Sequence, residues 1–192
     1  LVGTFLATPV AAVIAVLGAA IGLAGDACHV ASGTTHYDVE GMPTVWRSAV
    51  WFPVSVGLAV LLAAWVSDRS GFPAARRRTR AEVPAGAAAV LALYALTAVL
   101  RHQPTTVSVV LTASLAVLVW AWWDPSRGAL LVAVTAAVLG PLAEMAVSAA
   151  GLAHYAADAD GLGGVAPWLP SIYFAAGAVS SRIWAAVARD GA

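Results

Sequence analysis

One acidic side chain, Glu144, lies in the middle of a long apolar stretch and is the strongest candidate for a binding residue. A carboxylic acid near the centre of a bilayer costs roughly 2.5–3.5 kcal/mol, so it should face the protein interior or a polar cavity. There it could hydrogen-bond a hydroxyl group of a bound molecule. It could equally be capped by a neighbouring Ser, Thr or backbone carbonyl, and the residue types leave both interpretations open.

Small residues flank Glu144 on the same face of its predicted helix. Gly140 and Ser148 lie one helical turn before and after it. Such residues would leave room for a ligand, although they equally favour close packing of two helices. The other predicted ligand-binding residues are aromatic: Trp51, Tyr173 and Phe174.

No catalytic pattern accompanies Glu144. The sequence contains no nucleophile elbow, phosphate-binding glycine loop or HExxH zinc motif. Histidines and acidic residues on one predicted side could in principle bind a metal, but their spacing matches no compact ligand set. We therefore expect no metal, no cofactor and no catalysis. The residues weighed for a metal site are Asp26, Cys28, His29, His36, Asp38, Glu40, His102, His154, Asp158 and Asp160.

The segments that position these residues are those of a membrane protein. Hydrophobic residues make up 61% of the 192-residue chain, charged residues 10%, and lysine is absent. An ordinary soluble domain carries about 25% charged residues, so the composition excludes a cytosolic enzyme and a nucleic-acid-binding protein. A single cysteine excludes a disulfide scaffold.

We predict an all-α membrane protein, a single domain over residues 1–192 that forms a six-helix transmembrane bundle. Gly140-Pro141 favours a kink or break in the fifth helix. The predicted helices cover about 5–24, 49–66, 85–100, 105–123, 129–153 and 169–187.

The arginines set the predicted orientation, because cytoplasmic loops are enriched in basic residues. Eight arginines fall on one side of the six predicted helices and two, Arg47 and Arg101, on the other. Both termini should therefore be cytoplasmic. The protein itself should lie in the cell membrane. Tryptophans at the predicted helix ends should lie at the headgroup level: Trp46, Trp51, Trp168, Trp65, Trp120, Trp122, Trp123 and Trp184.

Two segments resemble the insulin-induced gene (Insig) family of six-helix membrane proteins. They are WAWWDPSRGAL, from Trp120 to Leu130, and WLPSIYFAAGAV, from Trp168 to Val179. The resemblance implies a binding and scaffolding protein without catalysis, since eukaryotic Insig proteins bind oxysterols within the bundle and retain sterol-sensing partners. Asp124 matches the family's cytoplasmic aspartate, which is tied to partner binding, although Pro125 departs from the family pattern.

The ligand implied for this chain is a neutral lipid. Abundant Ala, Val, Gly and Arg without Lys is typical of a GC-rich bacterial genome, and such bacteria generally lack sterol synthesis. A diacylglycerol-like molecule in the bacterial inner membrane therefore fits, with a sterol-like molecule as the other option. Small residues in the third helix would permit a homo-oligomer.

Two other functions stay open. A membrane-embedded enzyme acting on an isoprenoid or lipid could use Glu144 as an acid. It would need a second titratable group at membrane depth, and the sequence offers none nearer than Arg182. A small-solute transporter is less favoured, because the broken helix has no counterpart in the first half.

Overall fold

The chain forms a bundle of long helices with a few very short strands. The computed structural model describes residues 8–38, 41 and 43–188. This confirms the mostly helical fold, while the strands were not predicted. Glu40, residues 5–7 of the first predicted helix and Arg189, one of the eight arginines predicted on the cytoplasmic side, lie outside the described residues. The elements are α1 Pro9–Ala31, β1 Thr35–His36, β2 Thr44–Val45, β3 Ser48–Ala49, α2 Trp51–Arg69, a 3₁₀ turn Arg80–Glu82, α3 Val83–Val99, α4 Thr105–Trp123, α5 Arg127–Ala149, β4 His154–Tyr155 and α6 Leu169–Ala188.

The first helix is longer than the sequence indicates. It starts at Pro9, where the Thr8 hydroxyl caps it by accepting a hydrogen bond from the Ala11 amide at 3.2 Å. It was expected to end near Ala24, with Gly25-Asp26 opening a loop, and that expectation was wrong. Asp26 is only 3% exposed and accepts a hydrogen bond from Tyr37, so the helix continues through it to Ala31.

The fifth helix is continuous across Gly140-Pro141, where a break was one expectation. It begins after Ser126, whose hydroxyl accepts a hydrogen bond from the Ala129 amide at 3.2 Å. It ends at Ala149, earlier than the predicted Ala153, and Gly151 follows with a positive φ of 71°. A glycine in this conformation just after a helix is a common termination signal.

The last helix, α6, lies at the centre of the bundle and packs against α2, α3, α4 and α5. Ala175, Gly177 and Ala178 are buried along it and allow close approach. An added Cβ on Gly177 would lie 2.8 Å from the Cβ of Ala136 in α5. The α5–α6 contact therefore depends on a missing side chain.

Five helices among the described residues are long and apolar enough to cross a membrane, namely α1 to α5. Large apolar side chains point away from the bundle, including Leu58, Leu118 and Leu139, which are 58%, 60% and 59% exposed. An apolar outer surface of this kind suits contact with lipid. The sixth helix, α6, carries the buried Arg182, and its neighbours enclose it.

The tryptophans differ in exposure, and four of the eight are half-buried. Trp46 is 67% exposed and Trp122 41% exposed, which fits rings at the membrane interface. Trp123 and Trp168 are buried inside the protein, so these two rings are not available for contact with lipid headgroups. The Trp123 indole N–H instead donates to the Val179 carbonyl of α6 at 3.1 Å.

Short strands connect two loops at one end of the bundle. β1 pairs antiparallel with β4, which places Thr35 opposite Tyr155 and joins the loop after α1 to the loop after α5. β2 and β3 form a hairpin with Trp46 and Arg47 at its tip, both at positive φ. These pairings bring residues of distant loops over the ends of α1 and α5.

A glycine at the α1–α2 contact gives the first test of this packing. A Cβ on Gly57 would lie 2.5 Å from the Ala15 carbonyl oxygen, and backbone cannot move aside cheaply. Gly57→Ala should therefore destabilise the protein by about 1–3 kcal/mol through overpacking. Thermal unfolding of the detergent-purified protein measures this. Leu58→Ala, at the exposed neighbouring position, is the control; an equal loss in both variants would contradict the close α1–α2 contact.

Candidate ligand-binding site

Glu144 is held by two tyrosine hydroxyls. Tyr155 of β4 donates to its Oε2 at 2.5 Å, and Tyr173 of α6 donates to its Oε1 at 2.6 Å. The expected cap was a Ser, Thr or backbone carbonyl, so the chemistry of the capping groups differs from the expectation. Carboxylate oxygens have further lone pairs, and Glu144 can still accept a hydrogen bond from another molecule.

The structure gives Gly140 a different role from the one predicted. An added Cβ on Gly140 would lie 2.2 Å from the Tyr173 ring, so that ring already fills the space. Gly140 therefore positions Tyr173 and leaves no room for a ligand at that point. Ser148, one turn beyond Glu144, donates a long 3.5 Å hydrogen bond to the Gly164 carbonyl, and Phe174 is half-buried against the core.

A second buried carboxylate lies near Glu144. Asp26 of α1 accepts a hydrogen bond from the Tyr37 hydroxyl at 2.8 Å. The two carboxylates lie close enough to influence each other electrostatically. The expectation that no titratable group nearer than Arg182 shares this depth with Glu144 was therefore wrong. The error arose because Asp26 was assigned to a loop.

All four tyrosines of the chain lie within electrostatic reach of Glu144. Burial raises the pKa of Tyr155 and of Tyr37 above the ordinary value of a phenol, so both remain donors at neutral pH. We call the following residues the tyrosine–carboxylate cluster: Asp26, Tyr37, Glu144, Tyr155 and Tyr173. Sequence reasoning missed Tyr37 and Tyr155. With only four tyrosines in the chain, each of them could have been considered as a donor to Glu144.

Trp51 borders this cluster with an unused donor. Its ring meets the Tyr37 ring edge-on at 5.9 Å between centroids. Its indole N–H is buried and has no hydrogen-bond partner within residues 8–38, 41 and 43–188, and the same holds for the Thr35 hydroxyl. Buried polar groups are normally paired, so these two atoms could accept or donate a hydrogen bond to a further polar group.

The predicted metal candidates do not converge. Among the described residues, no group of three or more His, Cys, Asp or Glu side chains is arranged to hold a metal ion. His29 is buried and bonds the Thr97 hydroxyl at 2.8 Å, between the rings of Tyr94 and Trp168. His36 and His154 stack across the β1–β4 pair, and His154 pairs with Asp38.

The opposite end of the bundle is organised by Asp124. Its carboxylate accepts hydrogen bonds from the Ala75 amide at 2.9 Å, the Arg76 amide at 3.1 Å and the Ser126 hydroxyl at 2.8 Å, and it pairs with Arg182 of α6. We call these contacts the Asp124 network. It ties the loop between α2 and α3 to the central helix.

The Asp124 network corrects a prediction. Asp124 was expected to contact a partner, which requires an exposed carboxylate, but its side chain is 0% exposed. The structure gives Asp124 an internal role, because four groups of its own chain donate hydrogen bonds to its carboxylate. Burial alone would raise its pKa, but the hydrogen bonds from Arg182 and Ser126 outweigh that effect and lower the pKa below its ordinary value.

Comparison with known proteins identifies near-complete matches. No family model matches the chain. The INSIG protein homolog of Mycolicibacterium vanbaalenii is 39% identical over 174 residues, which cover 90% of this chain and 84% of that protein. The crystal structure of MvINS, a mycobacterial Insig homolog from Mycobacterium vanbaalenii, aligns with a TM-score of 0.87 at 35% identity over 93% of each chain. A cross-linked trimer of an arginine-to-cysteine variant of MvINS aligns with a TM-score of 0.86 at 38% identity, over 94% of this chain and 95% of that one.

The Asp124 network should contribute to stability and leave ligand binding unaffected. Asp124→Ala leaves Arg182 buried without its partner and removes the acceptor for two loop amides. Breaking a buried ion pair in this way typically costs about 3–5 kcal/mol. We expect a lower unfolding temperature with unchanged lipid content, measured by thermal unfolding and lipid mass spectrometry. Lipid loss without destabilisation would instead place Asp124 at a ligand site.

The pH dependence provides a control for this assignment. The pKa of Asp124 is lowered on folding, so its contribution is present above the ordinary value of 3.8 and is lost as the pH falls through the folded value. The unfolding temperature of the parent protein should therefore drop in acid. Asp124→Asn has no carboxylate to protonate and should show a smaller drop. Equal drops would exclude this carboxylate as the cause.

Proposed function

The chain belongs to the Insig family, and on that premise we propose that it binds a neutral lipid inside its helix bundle without changing it chemically. The lipid is diacylglycerol-like or, as the second option, sterol-like. The observation that carries this proposal is the buried, unpartnered Trp51 indole N–H beside the tyrosine–carboxylate cluster. A donor of this kind, next to carboxylates with spare lone pairs, fits a small polar group on an otherwise apolar molecule.

The charge of the cluster favours a neutral ligand. Glu144 and Asp26 supply acceptors, and the groups that hold them are uncharged phenols. Arg101, at the same end of the bundle, is paired with Asp158. An anionic headgroup beside the cluster would face two carboxylates. A hydroxyl group can donate to a carboxylate, and an ester carbonyl can accept from the Trp51 indole.

Each predicted residue has a place in this proposal. Glu144 accepts a hydrogen bond from the ligand, Trp51 donates one, and Phe174 provides apolar surface for the lipid chains. Ser148 borders the polar end. Gly140 acts indirectly, by positioning the Tyr173 ring that holds Glu144.

We also propose that the chain is one domain over 1–192 with six membrane-spanning helices and both termini in the cytoplasm of a bacterial cell. Five apolar helices support this, with α6 as the sixth span enclosed by the others. The Asp124 network then lies on the cytoplasmic side, where eight of the ten arginines fall.

A homo-oligomer is part of the proposal. The arginine-to-cysteine variant of MvINS was cross-linked as a trimer, and this chain follows MvINS over 94% of its length. Exposed apolar side chains on α4 and α5, such as Leu118 and Leu139, could contact a second copy as well as lipid. We propose self-association through the outer helices, with the tyrosine–carboxylate cluster inside each subunit.

An enzyme remains the alternative, and one observation favours it. Asp26 supplies the second titratable group near Glu144 that a lipid-modifying enzyme would need. The non-catalytic proposal is preferred because phenol hydroxyls already hold both carboxylates. Native mass spectrometry of the purified protein distinguishes the two. An intact co-purified lipid supports binding, and release of a cleaved product supports the enzyme.

The topology is tested with single cysteines in a background in which Cys28 is replaced by Ala. We expect Ser70→Cys, after α2, to react with a membrane-impermeant thiol reagent only from the cytoplasmic side. We expect Ser32→Cys, after α1, to react only from the opposite side. Labelling of both from the same face would contradict the six-span arrangement.

The role of Glu144 is tested by measuring the lipid that co-purifies with the protein. Glu144→Leu removes the acceptor for the ligand hydroxyl, and a buried group left unpaired costs about 1–3 kcal/mol. We therefore expect several-fold less neutral lipid per protein, measured by native mass spectrometry.

Tyr155→Phe is the matched control. It breaks the same hydrogen bond between Tyr155 and Glu144 as Glu144→Leu does, yet it keeps the carboxylate. We expect the lipid content of this variant to stay close to that of the parent protein. Parent-like lipid content in Glu144→Leu would remove Glu144 from the site, and equal losses in both variants would assign it a purely structural role.

A further inference from the structure

A cleft opens beside the start of α5, at the other end of this helix from the tyrosine–carboxylate cluster. It has a volume of about 450 Å³, and its walls are formed by segments 72–75 and 126–128. Phe72, Pro73 and Ala74 make one wall apolar. Since α5 is a candidate membrane span that begins at Arg127, the cleft lies where a spanning helix meets the membrane surface.

Two arginines beside this cleft have no partner within the described part of the chain. Arg127 lines the cleft, and Arg77 follows its apolar wall by two residues; both are exposed. Arg76 is exposed too and bonds the Trp122 carbonyl at 2.7 Å with one guanidinium nitrogen, which leaves its other donors available. Unpaired guanidinium groups at the membrane surface attract anionic groups.

The acidic side chains at this end are mostly occupied. Asp124 is buried against Arg182, and Glu82 pairs with Arg78 at 2.5 Å. The remaining described acidic residue at this end is Asp68, in the last turn of α2. Exposed arginines therefore outnumber unpaired acids around the cleft, and the local charge is positive.

The backbone of the cleft is fixed before any ligand arrives. Asp124 holds the amides of Ala75 and Arg76. The Arg78 guanidinium lies over the Trp122 and Trp123 rings at 5.1 and 4.8 Å and donates to the Trp123 carbonyl at 2.9 Å. A preformed loop loses little conformational freedom on binding.

We propose that this cleft binds the headgroup of an anionic phospholipid. The phosphodiester lies between the Arg77 and Arg127 guanidinium groups. The glycerol backbone and first methylene groups lie against Phe72, Pro73 and Ala74. This site is separate from the proposed neutral-lipid site. It lies at the other end of α5, and its charge is positive where the neutral-lipid site has carboxylates.

The test measures lipid binding to the full chain in detergent by native mass spectrometry. The probes are dioleoylphosphatidylglycerol, dioleoylphosphatidylcholine and inorganic phosphate as a competitor. We expect phosphatidylglycerol to bind several-fold more tightly than phosphatidylcholine. The double variant Arg77→Gln/Arg127→Gln should lose this preference, and the control Arg47→Gln, an exposed arginine at the other end of the bundle, should keep it.

Ala74→Phe provides a second variant that fills the cleft and preserves every charge. It should also weaken phosphatidylglycerol binding several-fold. Unchanged phosphatidylglycerol binding in Ala74→Phe would show that the lipid is attracted diffusely by the arginines, and it would overturn the cleft site. A loss of preference in Arg47→Gln as large as in the double variant would overturn it too. Full competition by inorganic phosphate would indicate a soluble-anion site and overturn the lipid assignment. Neutral lipid appears in the same spectra, so loss of the proposed function would be seen separately.

Discussion

A charged side chain is costly to expose to the hydrocarbon of a bilayer, and α6, at the centre of this bundle, carries the buried Arg182. The outward side chains of the other five helices are largely apolar and suit contact with lipid. Enclosing α6 requires close approach, which Gly177 and the alanines along it allow. The buried Arg182 in turn requires an anion, which Asp124 provides from the loop between α4 and α5.

The two ends of the bundle therefore have opposite chemistry. One end holds Asp26 and Glu144 among tyrosine hydroxyls, and the other holds the Asp124 network with exposed arginines around it. α5 reaches both, since Arg127 begins it and Glu144 lies near its last turn. The two proposed sites therefore differ in charge, since the carboxylate end suits a neutral ligand and the arginine end suits an anionic one.

The sequence predicted the helices well wherever apolar character alone decided them. The fourth helix was predicted at 105–123 and is found at Thr105–Trp123. The predicted end of the first helix was wrong, because the local sequence does not distinguish a buried Asp26 with a tyrosine partner from an aspartate in a loop.

Among the site residues, Glu144 was identified because an acidic side chain is costly within a membrane. Of its two partners, Tyr173 was predicted as a site residue and Tyr155 was not, because Tyr155 comes from a loop positioned by the β1–β4 pair. Asp124 was singled out only through the Insig resemblance, because two of its donors lie 49 and 48 residues earlier in the chain.

The central position of α6 also bears on how such a protein is made. α6 is the last of the six helices to leave the ribosome, so α1 to α5 emerge before the element that they surround. Each of these five is long and apolar enough to cross a membrane, whereas α6 carries the buried Arg182, a charged side chain that is costly to expose to lipid. The bundle is therefore completed only when α6 packs among the other helices. Until then, the faces of α2 to α5 that contact α6 have no partner, and these are the faces that quality-control proteases and insertases would meet.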